Sequence, residues 1–390
     1  MKAVTLHYPS GFLSAGRCKA GRHPFKPLTM LVGAILVIGL TTTACDVPSR
    51  DGESSSSQSD NSEHPVHAEG LVNASLNTGD PQILAQIKPN LPAKTTSQGK
   101  EVTVKKADRI LGLDRSGAMA ASLWSMGMGD KLVGRDISTD FPSAQKLPLV
   151  TPGGHSINAE AVLDLNPDVI FTDGTIGPQS VFRQLEKSGI TVVRTDRDRN
   201  LVNADNLMKE IGLALGDPDA GNQAAQKVRD GIESASKAAQ AESDHRRMIM
   251  LYLRGTNVSM IAGPKSGAPD LIKSLGGVDA GEGLGLDKAF TNLTSEALVK
   301  AAPDTIIVMK EGLESIGGLD GLHKLPGFDQ TPAGAHDSVL TVPDSHLLSF
   351  GPDAGSVITA MAQALYGDSQ SPSSAAPSSN ATPEALERRS

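Results

Sequence analysis

Cysteine and aromatic residues are scarce in this chain of 390 residues. It contains two cysteines, Cys18 and Cys45, and Phe, Tyr and Trp together make up 3% of the sequence. Two cysteines cannot form a disulfide framework, so aliphatic side chains must build the core without covalent cross-links. The scarcity also makes single aromatic residues informative, because only Tyr252 and Tyr366 remain as tyrosines after residue 44.

Long apolar runs are also missing, with one short exception near the N-terminus. Residues 30–40 read MLVGAILVIGL, which is shorter than the roughly 20 residues of a spanning helix but suits the core of a signal peptide. Basic residues precede this run and Ala44-Cys45 follows it. The pattern resembles a lipobox, although Thr42 stands where Leu is usual. We expect a signal peptide over 1–44 and a lipid on Cys45; the alternative is an ordinary signal peptide with an incidental Cys.

Basic residues are outnumbered once that N-terminal segment is set aside. The first 44 residues hold five of the chain's 36 Lys and Arg and no acid, which leaves 31 basic residues against 44 acidic ones, a net charge of −13. A domain with this charge repels nucleic acid and anionic lipid. The composition therefore indicates no nucleic-acid partner, and contact with the membrane only through the anchor.

Polar, Ser-rich segments flank the part of the chain that is predicted to fold. We expect a disordered tether over 45–90 and a disordered tail over 368–390, because neither has enough apolar residues for a core. Between them, short aliphatic strands alternate with helical patterns, which favours an α/β fold with mainly parallel sheets. The predicted parts are an amino-terminal lobe (91–216), a connecting helix (217–242) that begins at Asp217-Pro218, and a carboxy-terminal lobe (243–367).

An internal repeat indicates that the two lobes have like folds. The segment NAEAVLDLNPDVI at 158–170 is similar to TSEALVKAAPDTI at 294–306, and Glu160 occupies the position of Glu296. Each copy reads as an N-capped helix, a proline stop and an aliphatic strand. Two like lobes joined by one long helix predict a rigid strut between them.

With these features the chain resembles the solute-binding proteins of iron-chelate and cobalamin ABC importers over nearly all of 91–367. In that family each lobe presents a Glu to arginines of the permease. The resemblance therefore implies that Glu160 and Glu296 dock the permease subunits. The alternative is that each Glu only favours the dipole of its first helical turn.

Ligands of open α/β sheets bind beyond the carboxyl ends of the strands, here in the cleft between the lobes. One segment expected there is TPGGHS, which contains His155; the other is YLRG, which contains Tyr252 and Arg254. A phenolate is a hard anion that suits ferric iron, and Tyr and His are both haem ligands. Arg254 lies two residues beyond Tyr252, on the same face of a strand, where a cation stabilises the phenolate.

These two motifs are similar to those of the haem-binding lipoproteins of Gram-positive, actinobacterial-type haem importers. The resemblance implies that His155 and Tyr252 are axial ligands of ferric haem and that Arg254 hydrogen-bonds Tyr252. It also implies a monomer, lipid-anchored on the extracellular face of the cell membrane, that carries ferric protoporphyrin IX to an ABC permease.

Other functions remain open on the sequence alone. The same fold could bind a ferric siderophore or cobalamin, or serve as a surface adhesin in which the docking glutamates are idle. A serine enzyme of the penicillin-binding type is a remote alternative, since Ser143-Ala-Gln-Lys146, Ser156-Ile-Asn158 and Lys265-Ser-Gly267 mimic its three motifs. Prolines bracket Ser143 and the first two motifs are too close together, so we expect no enzyme.

Overall fold

The computed structural model describes residues 69–77 and 79–367. The predictions of a signal peptide, of a lipid on Cys45, of a tether as far as residue 68 and of a tail over 368–390 fall outside these residues. Within the described ranges, no helix has the length and apolar character needed to cross a membrane.

The amino-terminal lobe contains a hairpin and a small parallel sheet. The hairpin is antiparallel and pairs β2 (Ala93–Ser97) with β3 (Lys100–Val104). The sheet has the order β4-β5-β6, with β4 (Ile110–Leu113), β5 (Val169–Thr172) and β6 (Thr191–Arg194). Its helices are α1 (Ala118–Leu123), α2 (Ala159–Asp164), α3 (Gln179–Lys187) and α4 (Asn206–Ala214). Every residue of β4 and β5 is buried, as expected for parallel strands covered on both faces.

The carboxy-terminal lobe is built on a larger mixed sheet. Its order is β1-β12-β11-β7-β8-β10, and β9 pairs with the start of β7. β1, β12, β11 and β7 run parallel to one another, whereas β8 runs antiparallel to both of its neighbours, β7 and β10. The strands are β1 (Leu71–Asn73), β7 (Arg247–Arg254), β8 (Val258–Ala262), β9 (Val278–Asp279), β10 (Phe290–Asn292), β11 (Thr305–Met309) and β12 (Val339–Val342). The helices are α6 (Ala268–Ser274), α7 (Ser295–Ala301), α8 (Lys310–Ser315), α9 (Leu319–His323), α10 (Pro332–Ala335), α11 (Asp344–Leu347) and α12 (Ala354–Tyr366).

The connecting helix α5 (Pro218–Glu242) has the predicted bounds. The Asp217 side chain caps it by accepting the backbone N–H of Ala220 at 3.1 Å. The helix packs on α4 of one lobe and on α12 of the other. Glycines allow both close approaches: a Cβ on Gly212 would lie 2.6 Å from Cα of Gly221, and a Cβ on Gly355 would lie 2.6 Å from the backbone of Gly231. The α/β fold with a bridging helix is thus confirmed.

A second segment also joins the lobes, and it corrects the predicted tether. We call residues 74–77 and 79–90, between β1 and β2, the strap. β1 pairs with β12 in the carboxy-terminal lobe, whereas Leu84 and Ile87 of the strap are buried in the core of the other lobe. The prediction of disorder over 45–90 is therefore wrong for the described residues from 69 onwards. These residues gain their stability from distant partners, because their own composition is too polar to form a core.

Hydrogen bonds fasten the strap to the amino-terminal lobe and to α5. The Asp80 carboxylate accepts the backbone N–H of Ser143 at 2.8 Å and its hydroxyl at 2.6 Å. Nζ of Lys227 donates to the carbonyl of Leu84 at 2.5 Å. The chain therefore crosses between the lobes twice, and the strut is not the single connection that the sequence predicts.

Candidate functional site

Charged side chains follow the carboxyl ends of the parallel strands in both lobes. Asp114 and Arg115 follow β4 and Asp173 follows β5, while Arg254 ends β7 and Asp344 comes soon after β12. Because the carboxyl ends of parallel strands share one edge of a sheet, the two sets face the cleft between the lobes.

His155 lies on a loop whose backbone is fixed at several points. Gly154 has φ of 89°, a value that L side chains rarely adopt, and its N–H donates to the carbonyl of Thr151 at 3.2 Å. The carbonyl of His155 accepts the N–H of Gly177 at 3.1 Å. The predicted Pro-Gly-Gly-His loop is therefore a tight, anchored turn that presents the imidazole from the amino-terminal lobe.

The environment of His155 favours the neutral form of its imidazole. Partial burial lowers the pKa of His155, the positive charges of Arg115 and Arg254 lower it further, and Asp114 opposes them. Arg254 belongs to the other lobe, so charges from both lobes act on this imidazole. Nδ1 of the imidazole is buried and has no hydrogen-bond partner within the described part of the chain. A neutral imidazole is the form that ligates a metal.

Tyr252 is half-buried on β7 with an aromatic neighbour. Its ring packs against Phe290 with 5.6 Å between ring centroids. The guanidinium carbon of Arg254 lies 5.0 Å from the Tyr252 ring centroid, on the face of the ring. The hydrogen bond expected from Arg254 to the Tyr252 hydroxyl is not present between these two described side chains.

Arg254 is held over the ring by its other contacts. Its Nη2 donates to the Asp344 carboxylate and lies 3.5 Å from Sδ of Met309, and its Nη1 donates to the carbonyl of Leu253 at 3.0 Å. These contacts hold the guanidinium over the face of the Tyr252 ring and away from the phenol oxygen at its edge, which accounts for the difference from the expected hydrogen bond.

A buried acidic network lies beneath the amino-terminal side of the cleft. Arg199 donates to Asp114 at 2.7 Å and to Asp173 at 3.0 Å. Asp136 accepts the backbone N–H of Asp114 at 2.9 Å. Burial, and secondly the charge of Asp114, raises the pKa of Asp136 to about 7. The same two causes raise the pKa of Asp173. This network fixes Asp114, the residue before Arg115.

A cavity of about 440 Å³ opens between the lobes, on the side of the strap. Its lining includes Ser116 and Asp140 from one lobe and Ser345 and His346 from the other. Neither His155 nor Tyr252 lines this cavity, and a second depression of about 500 Å³ along α5 and α12 also contains neither of them. The two groups with the predicted metal-ligand chemistry, His155 and Tyr252, therefore lie outside both cavities.

The residues of the serine-enzyme alternative are not assembled. The hydroxyl of Ser143 donates to Asp80 in the strap rather than to Lys146. Lys265 is exposed on the turn between β8 and α6, in the other lobe. The three motifs therefore do not form one active site.

Glu160 and Glu296 occupy equivalent, exposed positions in the first turns of α2 and α7. Each helix is capped by the residue two positions before its Glu: Asn158 accepts the N–H of Ala161 at 3.1 Å, and Thr294 accepts the N–H of Ala297 at 3.1 Å. Neither carboxylate has an ion-pair or hydrogen-bond partner in the part of the chain that the structure describes. Both are therefore available to another molecule.

Several residues of the cleft were missed from the sequence. Arg115 and Asp344 follow strands directly or nearly so, and the strand-end rule could have identified them. Phe290 and Met309 could not be predicted as cleft residues, because an aromatic residue or Met on a strand is usually part of the hydrophobic core. Their places beside Tyr252 and Arg254 depend on which strands are neighbours in the sheet.

Two α/β lobes bridged by a long helix, with polar groups converging on one cleft, define a solute-binding protein. The chain belongs to the periplasmic binding protein family, whose profile matches residues 116–345.

Solved structures of haem-binding proteins resemble it. The heme binding protein HmuT is 34% identical, with a TM-score of 0.72, and the match covers 76% of this chain and 97% of HmuT. HmuT variants with a His, a Tyr or an Arg replaced by Ala also match, and that Tyr and Arg are two positions apart. The periplasmic heme-binding protein RhuT from Roseiflexus sp. RS-1 is 31% identical, with a TM-score of 0.62, over 67% of this chain and 98% of RhuT.

Curated relatives include cobalamin binders. A cobalamin-binding protein of Halobacterium salinarum is 26% identical over 202 residues, which is 51% of this chain and 53% of that protein. The chain thus spans about half the length of this relative.

Proposed function

We propose that the protein captures ferric haem in the cleft between its lobes and delivers it to an ABC importer. The observation that carries this proposal is the pair of His155 and Tyr252 on opposite walls of the cleft. The pKa of the imidazole is lowered, its buried Nδ1 has no partner among the described residues, and the phenol has a cation beside it. Together they would supply one neutral and one anionic axial ligand.

The number of ligands favours haem over a bare metal ion. No group of three or more His, Cys, Asp or Glu side chains suited to a metal occurs among the described residues. Two axial groups suffice only for an iron that brings its own four equatorial ligands, as in a porphyrin. Arg115 and Arg254, one on each side of the cleft, also suit a cargo that carries carboxylates.

The relatives support haem ahead of cobalamin. HmuT and RhuT, which carry haem in their names, align over nearly their whole length, whereas the cobalamin-binding relative aligns over about half. HmuT variants at a His, a Tyr and an Arg fit the three residue types predicted here, including the spacing of Tyr252 and Arg254.

A spectroscopic titration tests the proposal. Ferric haem, cyanocobalamin and a ferric siderophore are each added to the purified protein, and binding is followed by visible absorption and by competition. We expect a stoichiometric haem complex with a phenolate-to-iron charge-transfer band, and no displacement by the other two. Tight binding of cobalamin or the siderophore without a haem complex would replace haem by that cargo.

The proposal includes the place and the partner of the protein. Lipid on Cys45 would hold it at the extracellular face of the cell membrane, and Glu160 and Glu296 would dock the permease, one from each lobe. In Cys45→Ser cells we expect the protein to leave the membrane fraction. Retention at the wild-type level would contradict the anchor.

A further inference from the structure

We call α2 and α7, which carry Glu160 and Glu296, the docking helices. Each of them has an exposed aliphatic residue one turn after its Glu. Leu163 on α2 is 37% exposed and Val299 on α7 is 36% exposed. They follow Glu160 and Glu296 by three positions, and they occupy equivalent places in the repeat. On a helix, residues three apart are neighbours on one face, so each lobe presents a carboxylate and an aliphatic side chain together.

The match extends through the burial pattern of both helices. The residue just before each exposed aliphatic side chain faces the core and is fully buried: this residue is Val162 on α2 and Leu298 on α7. The helices therefore have the same rotation about their axes. Nine large apolar side chains are exposed among the described residues, and the recurrence of one at the same repeat position in both lobes points to a shared use.

Matched arginines hold the two helices in place. Arg109, just before β4, donates from Nη2 to the carbonyl of Leu165 at 2.7 Å. Arg247, at the start of β7, donates from Nη2 to the carbonyl of Ala301 at 2.8 Å. Both acceptors lie at the carboxyl end of a docking helix and are equivalent in the repeat. With an N-cap at one end and an arginine at the other, each helix presents its side chains from a fixed frame.

We propose that the docking surface of each lobe is a carboxylate–aliphatic pair, Glu160 with Leu163 and Glu296 with Val299, and that the permease meets each pair with a basic side chain beside an apolar patch. This rests on the proposed function, and it adds a contact that salt does not screen. The glutamates steer and orient the complex, because exposed charges act at a distance and are weakened by ions. The aliphatic residues stabilise the docked state by leaving water.

The test uses native cells in which variants replace the chromosomal copy, with equal protein levels verified by immunoblot. Initial rates of haem uptake are measured for Leu163→Asn, Val299→Asn and the double variant. We expect each single change to lower uptake about three- to tenfold at limiting protein, and the double change to lower it further. Haem titration of the purified variants checks that the cargo site is intact.

Matched controls separate the surface contact from a general loss of apolar area. Leu213→Asn changes a residue that is 48% exposed in the last turn of α4, far along the chain from either pair, and should leave uptake unchanged. Leu163→Met and Val299→Ile keep an apolar surface and should transport normally. In the Asn variants, uptake should stay low when the salt concentration is raised.

The outcomes distinguish this inference from the proposed docking itself. Abolished uptake in Glu160→Lys/Glu296→Lys together with normal uptake in Leu163→Asn/Val299→Asn would overturn the aliphatic contact and keep the glutamates. Normal uptake in the double Lys variant would instead overturn the docking proposal. Loss of uptake in both double variants, with normal uptake in Leu213→Asn, is the expected result.

Discussion

The guanidinium of Arg254 lies over the ring of Tyr252, with 5.0 Å between its carbon and the ring centroid. Asp344 holds it there through an ion pair in which the Asp344 side chain is 15% exposed. A cation near a phenol stabilises the phenolate, and a carboxylate beside the cation reduces that effect. Arg254 and Asp344 are therefore opposed in their influence on Tyr252.

This opposition predicts shifts of opposite sign in two variants. Arg254→Ala should weaken the binding of ferric haem through Tyr252, and Asp344→Asn should strengthen it. Both affinities are measured by titrating the variants with ferric haem and following the charge-transfer band. Asp219→Asn removes a carboxylate at the start of α5 and serves as a charge control. Shifts of the same sign in the two cleft variants would contradict the assigned roles.

The axial ligands themselves predict two distinct spectra. Tyr252→Phe keeps the ring against Phe290 but removes the ligating oxygen, so it should lose most of the haem affinity and the charge-transfer band. His155→Ala should keep the band and leave a five-coordinate, Tyr-bound haem of weaker affinity. Visible absorption and electron paramagnetic resonance of the ferric complexes distinguish these states. Unchanged spectra in both variants would reject the axial pair.

The sequence predicts helices and strands correctly where neighbouring residues alone determine them. The bounds of α5 follow from the Asp217-Pro218 start and from small residues at helical spacing. The two docking helices follow from the repeat. Tyr252 and His155 were predicted as ligands because the carboxyl ends of parallel strands converge, a rule that needs no knowledge of side-chain contacts.

What the sequence could not reveal depends on contacts between distant residues. β1 has three residues, Leu71–Asn73, and no pattern of its own; it exists because β12 offers an edge, with Leu71 opposite Val339. The strap follows from that pairing. The contact of Arg254 with the face of Tyr252 likewise depends on Asp344, which lies 90 residues away and gives no sign of this role in its local sequence.

The buried carboxyl of Asp136 predicts that stability falls as pH rises. Burial, with a smaller effect of the Asp114 charge, raises the pKa of Asp136 from 3.8 to about 7. Between these values the folded state keeps a proton that the unfolded state has lost. Stability from this group is therefore full below about pH 4, declines on the order of a few kcal/mol towards pH 7, and levels off above it.

A variant isolates this contribution from other groups with raised pKa values, such as Asp173. Asp136→Asn cannot ionise, so the difference in free energy of unfolding between wild type and variant should fall from pH 4 to pH 7. Chemical denaturation at several pH values measures it, and any constant offset reports the altered hydrogen bonds of the amide. A difference that is independent of pH would show that Asp136 is ionised throughout.

The two crossings between the lobes predict that haem binding changes their arrangement little. The strap is fastened at Asp80 and Leu84, and α5 contacts one lobe through Gly221 and the other through Gly231. Backbones that touch this closely leave no room for sliding. Small-angle scattering of the protein with and without ferric haem should give superimposable curves.

Gly355→Val, which forces α12 away from Gly231, should lower stability by about 1–3 kcal/mol and permit a larger change on binding. A marked contraction of the wild-type protein on adding haem would mean that the strap and α5 act as hinges rather than braces.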